Sequence, residues 1–370
     1  MLQKKFDIII LGGGVCGLLL AKELSNSNFN ILVIEKQNLS KLSISNTQAR
    51  AINLSSYNIL QKHNLIYDID YAKIQKIYLY QNKKQIVNFA ANEIKETTLA
   101  YIIDQISLQK KLFLSLRHYS NIKIIYTQMN SLVYYNQKHH LICKNGNQYE
   151  CNLLVGADGK NSWLSRQANI NDKVKDYQQL ALCANVQMLN NHDNIAKQYF
   201  LKTGPIGLLP LVNNKEMALI WSTDNLQAKK LLQLNNEDFI SELKKITDLD
   251  IIAINSKRVH FALYKKHASN YMQNKIVLLG DAAHVIHPLA GLGLNLAILD
   301  SVALANNLKK YHLSNKALLK YIQTRRFYNT KIMIFSDLIK KISGNVLLSL
   351  AAKIFIFNNI KCYFIKQATY

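Results

Sequence analysis

Residues 6–17, Phe6-Asp-Ile-Ile-Ile-Leu-Gly-Gly-Gly-Val-Cys-Gly17, decide the fold. An unbroken apolar run from Phe6 to Leu11 is the pattern of a parallel strand covered on both faces. It ends in a GxGxxG turn, and a helical pattern follows from Val15 to about Ser27. A second apolar strand, Asn30 to Ile34, then ends at Glu35. In such a unit the glycines have separate tasks. Gly12 makes the tight turn, Gly14 lets a pyrophosphate approach the main chain, and Gly17 lets helix and strand pack closely. Val15 and Cys16 open the helix, where free N–H groups face an anion. Glu35 lies 18 residues beyond Gly17, with Lys36 after it; a carboxylate there accepts both ribose hydroxyls of an adenosine. The unit predicts a doubly wound α/β domain that binds a dinucleotide, and by itself it does not separate FAD from NAD.

Two later stretches repeat the strand-then-glycine pattern. Leu153-Leu-Val-Gly-Ala-Asp158-Gly159 is one. The other is residues 276–300, IVLLGDAAHVIHPLAGLGLNLAILD, where Gly280 and Asp281 end a strand. There Pro288 is followed by Gly291 and Gly293, bracketing Leu292, and a helical pattern continues through Leu294 and Asn295. Glycines without Cβ let a planar ligand approach the main chain, and a helix start favours negative charge, the needs of a reduced flavin. The chain has only 13 glycines and 3 prolines in 370 residues, against a background rich in Asn, Lys and Ile. Eleven of the glycines fall at 12–17, 156–159, 204–207 and 280–293, and all the prolines fall in the last two groups. Where such residues are scarce, they mark positions that need unusual backbone, and these four groups predict one site.

Composition excludes several classes. The five cysteines are scattered without a CxxC pair, which argues for a reducing cytoplasm and against a disulfide framework or a dithiol flavin reductase. No signal peptide is expected, and no apolar run reaches the roughly 20 residues of a spanning helix. The net charge of +23 comes from dispersed lysines without a stacking-aromatic basic motif, so nucleic acid is not the expected partner. His284 and His287 lack a third ligand cluster, which argues against a metal site.

The stretch GDAAHVIHPLAGLGLNLAILD resembles the third signature of the class A flavin-dependent aromatic hydroxylases, in their ubiquinone-biosynthesis branch. Further segments carry the resemblance across the chain. Arg50-Ala-Ile-Asn53 is similar to the family's RxSAIN-type segment, and Ala100-Tyr-Ile-Ile-Asp-Gln105 to its LGYIVEN-type segment. Gly204-Pro-Ile-Gly-Leu-Leu-Pro-Leu211 with Trp221 is similar to GPxAxLPL…W, and Tyr321 to Asn329 to YxxxRRxxN. The resemblance implies FAD as cofactor. Asp281 holds the ribityl chain, and Pro288, Gly291 and Gly293 line the isoalloxazine. Arg50 approaches the phosphates and flavin edge, Gln105 faces the flavin's neighbourhood, and Asp158-Gly159 serves the pyrophosphate. Gly204, Pro205, Leu209, Pro210 and Trp221 form the substrate floor. Leu292 departs from the branch's usual Gln, and Ser165 from its usual Arg, with Arg166 next in line.

The fold so implied is an α/β, Rossmann-like FAD-binding domain of para-hydroxybenzoate hydroxylase type, interleaved with a mixed β-sheet substrate domain and closed by a helical C-terminus. The expected FAD-binding parts are residues 1–70, 98–172 and 271–310. Residues 71–97 are expected to give substrate-domain strands, 173–270 the substrate domain, and 311–370 C-terminal helices. The activity implied is hydroxylation of a polyprenyl phenol in ubiquinone biosynthesis, using O2, a flavin C4a-hydroperoxide and NAD(P)H or a ferredoxin-type reductant. An FAD-dependent prenyl reductase, or a non-catalytic FAD-binding subunit of a quinone-biosynthesis complex, are the alternatives. Residues 301–370 hold twelve Lys or Arg and one acid, Asp337, around the apolar stretches 346–352 and 354–357. That pattern predicts a cytoplasmic protein with peripheral contact to the inner face of the cell membrane.

Overall fold

The computed structural model describes residues 4–42, 48–288 and 291–343. Eight helices are used below: α1 (Val15–Glu23), α2 (Leu54–Lys62), α3 (Gln105–Leu116), α4 (Trp163–Gln167), α5 (Asn225–Gln233), α6 (Asn236–Thr247), α7 (Leu292–Tyr311) and α8 (Asn315–Ser343).

The apolar run after Lys5 becomes the strand Lys4–Leu11, at the centre of a mixed sheet whose inner strands are parallel and whose strands Met129–Tyr135, Lys138–Cys143 and Met272–Gln273 are antiparallel. It pairs with Ile31–Glu35 on one side and Gln148–Gly156 on the other. Ile122–Tyr126 and Ile276–Leu278 extend the sheet outward in parallel. Ile8, Ile9, Ile10, Ile31, Leu32 and Val33 are all fully buried, which requires cover on both faces. α1 supplies part of that cover and packs on α3 and α7.

Register brings the glycine clusters together. Leu11 lies opposite both Ile34 and Gly156, and Gly156 lies opposite Leu278. The carboxyl ends of these strands therefore finish level, and Gly12, Glu35, Asp158 and Asp281 gather along one edge. Backbone bonds from Gly12 to Ile34, Ala157 to Leu11 and Leu279 to Gly156 carry the ladder just past that edge.

A second sheet runs, by residue, 284–285, 259–268, 172–188, 216–224, 206–210, 195–200, 76–81 and 84–90, with 251–254 beside 172–188. It is antiparallel except where 195–200 meets 76–81. α5 and α6 cover one face through Ala228, Leu231, Phe239 and Leu243. Part of the other face, with Ala196 and Leu209, packs on a small sheet of Ala49–Asn53, Ala100–Asp104 and Tyr71–Ile74.

Several sequence expectations change. Ala100–Asp104 is a strand built on Tyr-Ile-Ile, and Asp104 caps α3 by accepting from the Ser107 N–H at 2.8 Å. Tyr71–Ile74 joins the small sheet rather than the second one. α1 stops at Glu23 rather than near Ser27, and α2 starts at Leu54 because Asn53 caps it. Two helices, α5 and α6, lie within 177–270. His284–Val285 adds a short strand to the second sheet. Thr47, Leu289, Ala290 and the stretches 346–352 and 354–357 lie outside the described residues.

Candidate functional site

Each glycine of the first turn has its own physical reason. Gly12 has φ +110, and a Cβ there would lie 2.2 Å from the Ala157 carbonyl oxygen. At Gly17 a Cβ would lie 2.1 Å from the Gly12 carbonyl oxygen, so only glycine lets α1 seat on the strand. At Gly14 the same atom would meet nothing within 4 Å. That opening lies at the start of α1, whose first N–H groups have no acceptor within the helix. The Glu35 carboxylate accepts from the N–H of Gly13 at 2.6 Å and of Gln37 at 3.0 Å. It is thereby held at the strand end, and Lys36 beside it is exposed. Gln109 was not singled out in the sequence, yet its amide donates to the Gly13 carbonyl at 2.7 Å. Its place one turn after Gln105 on the same face of α3 was the available signal. Gln105 is half-buried in the first turn of α3, and its N–H donates to the Gln48 carbonyl.

Asp158 follows the neighbouring strand. One of its oxygens accepts from the Leu164 N–H at 3.1 Å; the other, Oδ1, is buried with no partner among the described residues. Gly159 has φ +82 with open space above it. Arg166 donates to the Asn161 carbonyl in its own loop, which ties it locally. Asp281 is exposed in total surface, although protein crowds the surroundings of its carboxyl group. Burial pushes its pKa up, opposed by His284, Arg50, Lys160 and Lys266. Arg50 also acts on Cys183, whose thiol burial pushes up to about 11. Arg50 thus acts electrostatically on both Asp281 and Cys183.

Gly280 has φ +57 and packs on Cys16, where a Cβ would lie 3.0 Å from the sulfur. Cys16 in turn bonds the Ala297 carbonyl and the Ser301 hydroxyl, joining α1 to α7, and Val15 is buried. Neither side chain is a cofactor ligand by itself; what α1 offers is backbone. Gly291 caps α7 at φ +63, and its Cβ would meet Ala51 at 3.0 Å. Conformation and the closeness of Ala51 both favour glycine there. Gly293 differs, because only Ile286 comes as near as 4.0 Å. Asn295 is 3% exposed; its amide donates to the carbonyls of Ala51 and Gly291, and its oxygen accepts from the Asn53 N–H. That side chain clasps the Arg50 strand to α7. Pro288, Leu292 and Leu294 are half-buried beside it.

Beneath this loop lies a buried polar network. Asp300 is fully buried and bonds His284 at 2.5 Å and the Arg325 Nε at 2.7 Å. Asn329 donates to Asp300 and accepts from Arg325. Burial opposes ionisation of Asp300, but His284 and Arg325 more than offset it and hold the carboxyl below its usual range. The network pins the Gly280–His284 turn, and with it Asp281, to α7 and α8.

The second sheet presents opposite side chains to its two sides. Trp221, Leu208 and Met217 point into the core under α5 and α6, where the Trp221 ring lies 5.7 Å from that of Phe239. Pro210 lies opposite Met217 and shares that side. Trp221 and Pro210 thus support the sheet instead of facing the cleft. Leu209 is on the other side, while Gly204, at φ +140, and Pro205 form a tight turn against the Ser222 main chain. By strand alternation Ala181, Cys183 and Ile220 share the Leu209 side, with Val259 and Phe261 in register beside them. This wall is mainly apolar, with Asn185, Ser222 and Gln198 on the same side, and Val259 and Phe261 are each 38% exposed.

A surface hollow of about 700 Å³ lies elsewhere, lined by Lys22, Glu23, Lys62, His63, Lys309 and His312 among others. It marks the C-terminal ends of α1, α2 and α7, at the opposite edge of the sheet, where lysines offset the carbonyl ends of the helices. The dinucleotide edge is the other one.

The residues at that edge fit FAD. The opening over Gly14, the unpartnered Asp158 oxygen, the fixed Glu35 carboxylate and the α7 start by Gly293 are what its pyrophosphate, ribose and flavin need. Solved flavoenzymes share the architecture. PqsL, a probable FAD-dependent monooxygenase from Pseudomonas aeruginosa, superposes with a TM-score of 0.83 at 17% identity, covering 94% of this chain and 99% of that one. The p-nitrophenol 4-monooxygenase PnpA from Pseudomonas putida gives 0.81 at 14% identity, covering 99% of both chains. The model of the FAD binding domain family matches residues 5–336, and the chain belongs to that family. It is an FAD-dependent monooxygenase of the class A aromatic hydroxylases. Among named relatives, 3-demethoxyubiquinol 3-hydroxylase of Escherichia coli (strain K12) is 28% identical, over 90% of this chain and 88% of the relative. The ubiquinone biosynthesis monooxygenase COQ6 of Dictyostelium discoideum is 26% identical, over 90% and 83%.

Proposed function

We propose that the chain hydroxylates the aromatic ring of a polyprenyl phenol in ubiquinone biosynthesis, with NAD(P)H or a ferredoxin-type protein as reductant. In the nicotinamide form the balance is ArH + O2 + NAD(P)H + H+ giving ArOH + H2O + NAD(P)+. The observation that carries the substrate class is the apolar wall of Leu209, Cys183, Ile220, Val259 and Phe261, which suits a lipid tail better than a charged aromatic acid. The names of the two relatives support the pathway.

Bound FAD supplies the electron transfer that activates O2. The chain's own residues bind and orient. Glu35 receives the adenosine ribose, and the N–H groups at the start of α1, with Asp158-Gly159, receive the pyrophosphate. Asp281 receives the ribityl hydroxyls. The N–H groups at the start of α7 face the pyrimidine edge, where negative charge gathers on reduction. Arg50 is placed to meet the flavin edge, and the apolar wall keeps water from the reacting ring. In this reading the strands before 35, 122–156 and 272–278 serve the cofactor, and those at 76–90 and 172–268 serve the substrate. Peripheral contact with a membrane would bring a lipid-dissolved substrate to the wall, and the basic C-terminal fifth supports it.

The test supplies purified FAD-loaded protein with a short-chain prenyl phenol, a reductant and 18O2, and follows the product by mass spectrometry. One 18O in the ring supports the reading. Reductant consumption that releases only hydrogen peroxide, or faster turnover of a charged aromatic acid, overturns it.

A further inference from the structure

The two sides of α8 differ in a way that the hydroxylase reading does not use. Its inner side is consumed by the protein. Tyr321 donates to the Leu278 carbonyl at 3.0 Å, Arg325 and Asn329 enter the Asp300 network, and Met333 is buried. Asp337, the acid of this helix, also turns inward, accepting from Tyr177 at 2.6 Å and pairing with Lys265 at 2.7 Å.

Its outer side carries Leu319, Phe327, Ile334 and Leu338, exposed by 48, 64, 61 and 52%. At about 100° per residue these fall within roughly 100° of arc, and at about 1.5 Å per residue they span roughly 28 Å. Lys320, Arg326 and Lys331 are exposed among them. Thus the outward side of α8 combines large apolar side chains with cations, and the one acid at that angle, Asp337, is tied down by Tyr177 and Lys265. A water-facing helix of this length normally interleaves both signs, and a helix docked on protein buries its apolar side chains. Mixed apolar and cationic exposure matches an anionic lipid surface, which receives the first between its headgroups and attracts the second. The neighbouring strand adds Lys175, close enough to act on Asp337 and Lys340.

We infer that the outward face of α8 is the surface by which this protein docks on an anionic membrane. The inference rests on the membrane contact proposed above and assigns it to described residues rather than to stretches 346–352 and 354–357. The same helix fixes the orientation of the site. The Tyr177 ring, bonded to Asp337, meets His287 with centroids 5.2 Å apart, and His287 directly precedes Pro288 of the flavin loop.

The experiment is vesicle flotation of full-length, FAD-loaded protein on phosphatidylcholine alone and on phosphatidylcholine with phosphatidylglycerol, at low and high salt. Wild type is expected to float with the anionic vesicles and to leave them in high salt. Two triple variants, Phe327→Ser/Ile334→Ser/Leu338→Ser and Lys320→Gln/Arg326→Gln/Lys331→Gln, are expected to bind at least ten-fold more weakly. Both should keep FAD content, near-UV circular dichroism and hydroxylation of a short-chain prenyl phenol in vesicle-free solution. A third full-length variant, Ile354→Ser/Phe355→Ser/Phe357→Ser, is expected to keep most of its binding. Normal binding by both α8 variants overturns the inference, as does loss only in the third. A wild type that floats with neither vesicle also overturns it and directs the face to a protein partner. Failure of the substrate reading shows separately, as absent hydroxylation in vesicle-free solution with vesicle binding intact.

Discussion

Replacing Asp300 with Asn tests whether the buried network holds the flavin loop in place. The change is nearly isosteric, so the result reports charge rather than a cavity. Asp300 is 0% exposed and Arg325 6%, and the carboxylate is bonded to Arg325, His284 and Asn329. Removing one partner of such a pair leaves a buried cation uncompensated, at about 3–5 kcal/mol. Folded domains hold only roughly 5–15 kcal/mol, so the expected loss is a large share of the total. The assay is thermal unfolding of apoprotein and FAD-loaded protein followed by far-UV circular dichroism, with FAD affinity measured by fluorescence. The variant should melt about 6–20 °C lower, at roughly 2–4 °C per kcal/mol. It should also bind FAD more weakly, because the turn that carries Asp281 loses its anchor. The sign with pH follows from the lowered pKa of Asp300. A carboxylate held below its unfolded value of about 3.9 adds stability above that pH and loses it as pH falls through the folded pKa. The gap between wild type and variant should therefore be full at neutral pH and shrink below about pH 4. Adding Arg325→Met to Asp300→Asn should recover part of the loss. An Asp300→Asn protein that melts with wild type at pH 7, or a double variant showing the sum of two independent losses, would refute the reasoning.

Glu35→Ala should weaken FAD by roughly 1.5–3 kcal/mol, about ten- to a hundred-fold in Kd by titration, because the ribose loses a charged acceptor. Unchanged affinity would remove Glu35 from the site. Gly14→Ala and Gly17→Ala should separate binding from folding. The first enters open space and should loosen FAD while the apoprotein's melting temperature holds. The second meets the Gly12 carbonyl oxygen at 2.1 Å and should lower that melting temperature by several degrees. Identical behaviour of the two would contradict the separate roles. Trp221→Phe should destabilise the second sheet while leaving KM for a prenyl phenol unchanged, whereas Phe261→Ser should raise KM with stability intact. Steady-state kinetics beside melting curves decide both.

Periodicity and glycine placement were enough to read the dinucleotide unit, because each of its tasks is local. A strand must end, a turn must bend and a helix must begin within a few residues, and Gly12, Gly17 and Glu35 record those demands in order. Asp158 and Asp281 are equally local, each within three residues of the end of its own strand. What local reasoning could not supply was direction. Trp221 and Leu209 sit in neighbouring strands of one segment, yet strand alternation and the packing of α5 and α6 send them to opposite sides of the sheet. Gly291 and Gly293 look alike in the chain, but Ala51, 240 residues earlier, explains one while open space surrounds the other. Asn295 looks like a helix-start ligand, yet its side chain bonds Ala51 and Asn53 of one distant strand and the Gly291 carbonyl at its own helix cap. Asp300 looks like a stray charge in an apolar helix until His284, Arg325 and Asn329 close around it. Pairings of this kind depend on distances between segments far apart in sequence, and only the packed chain sets those distances.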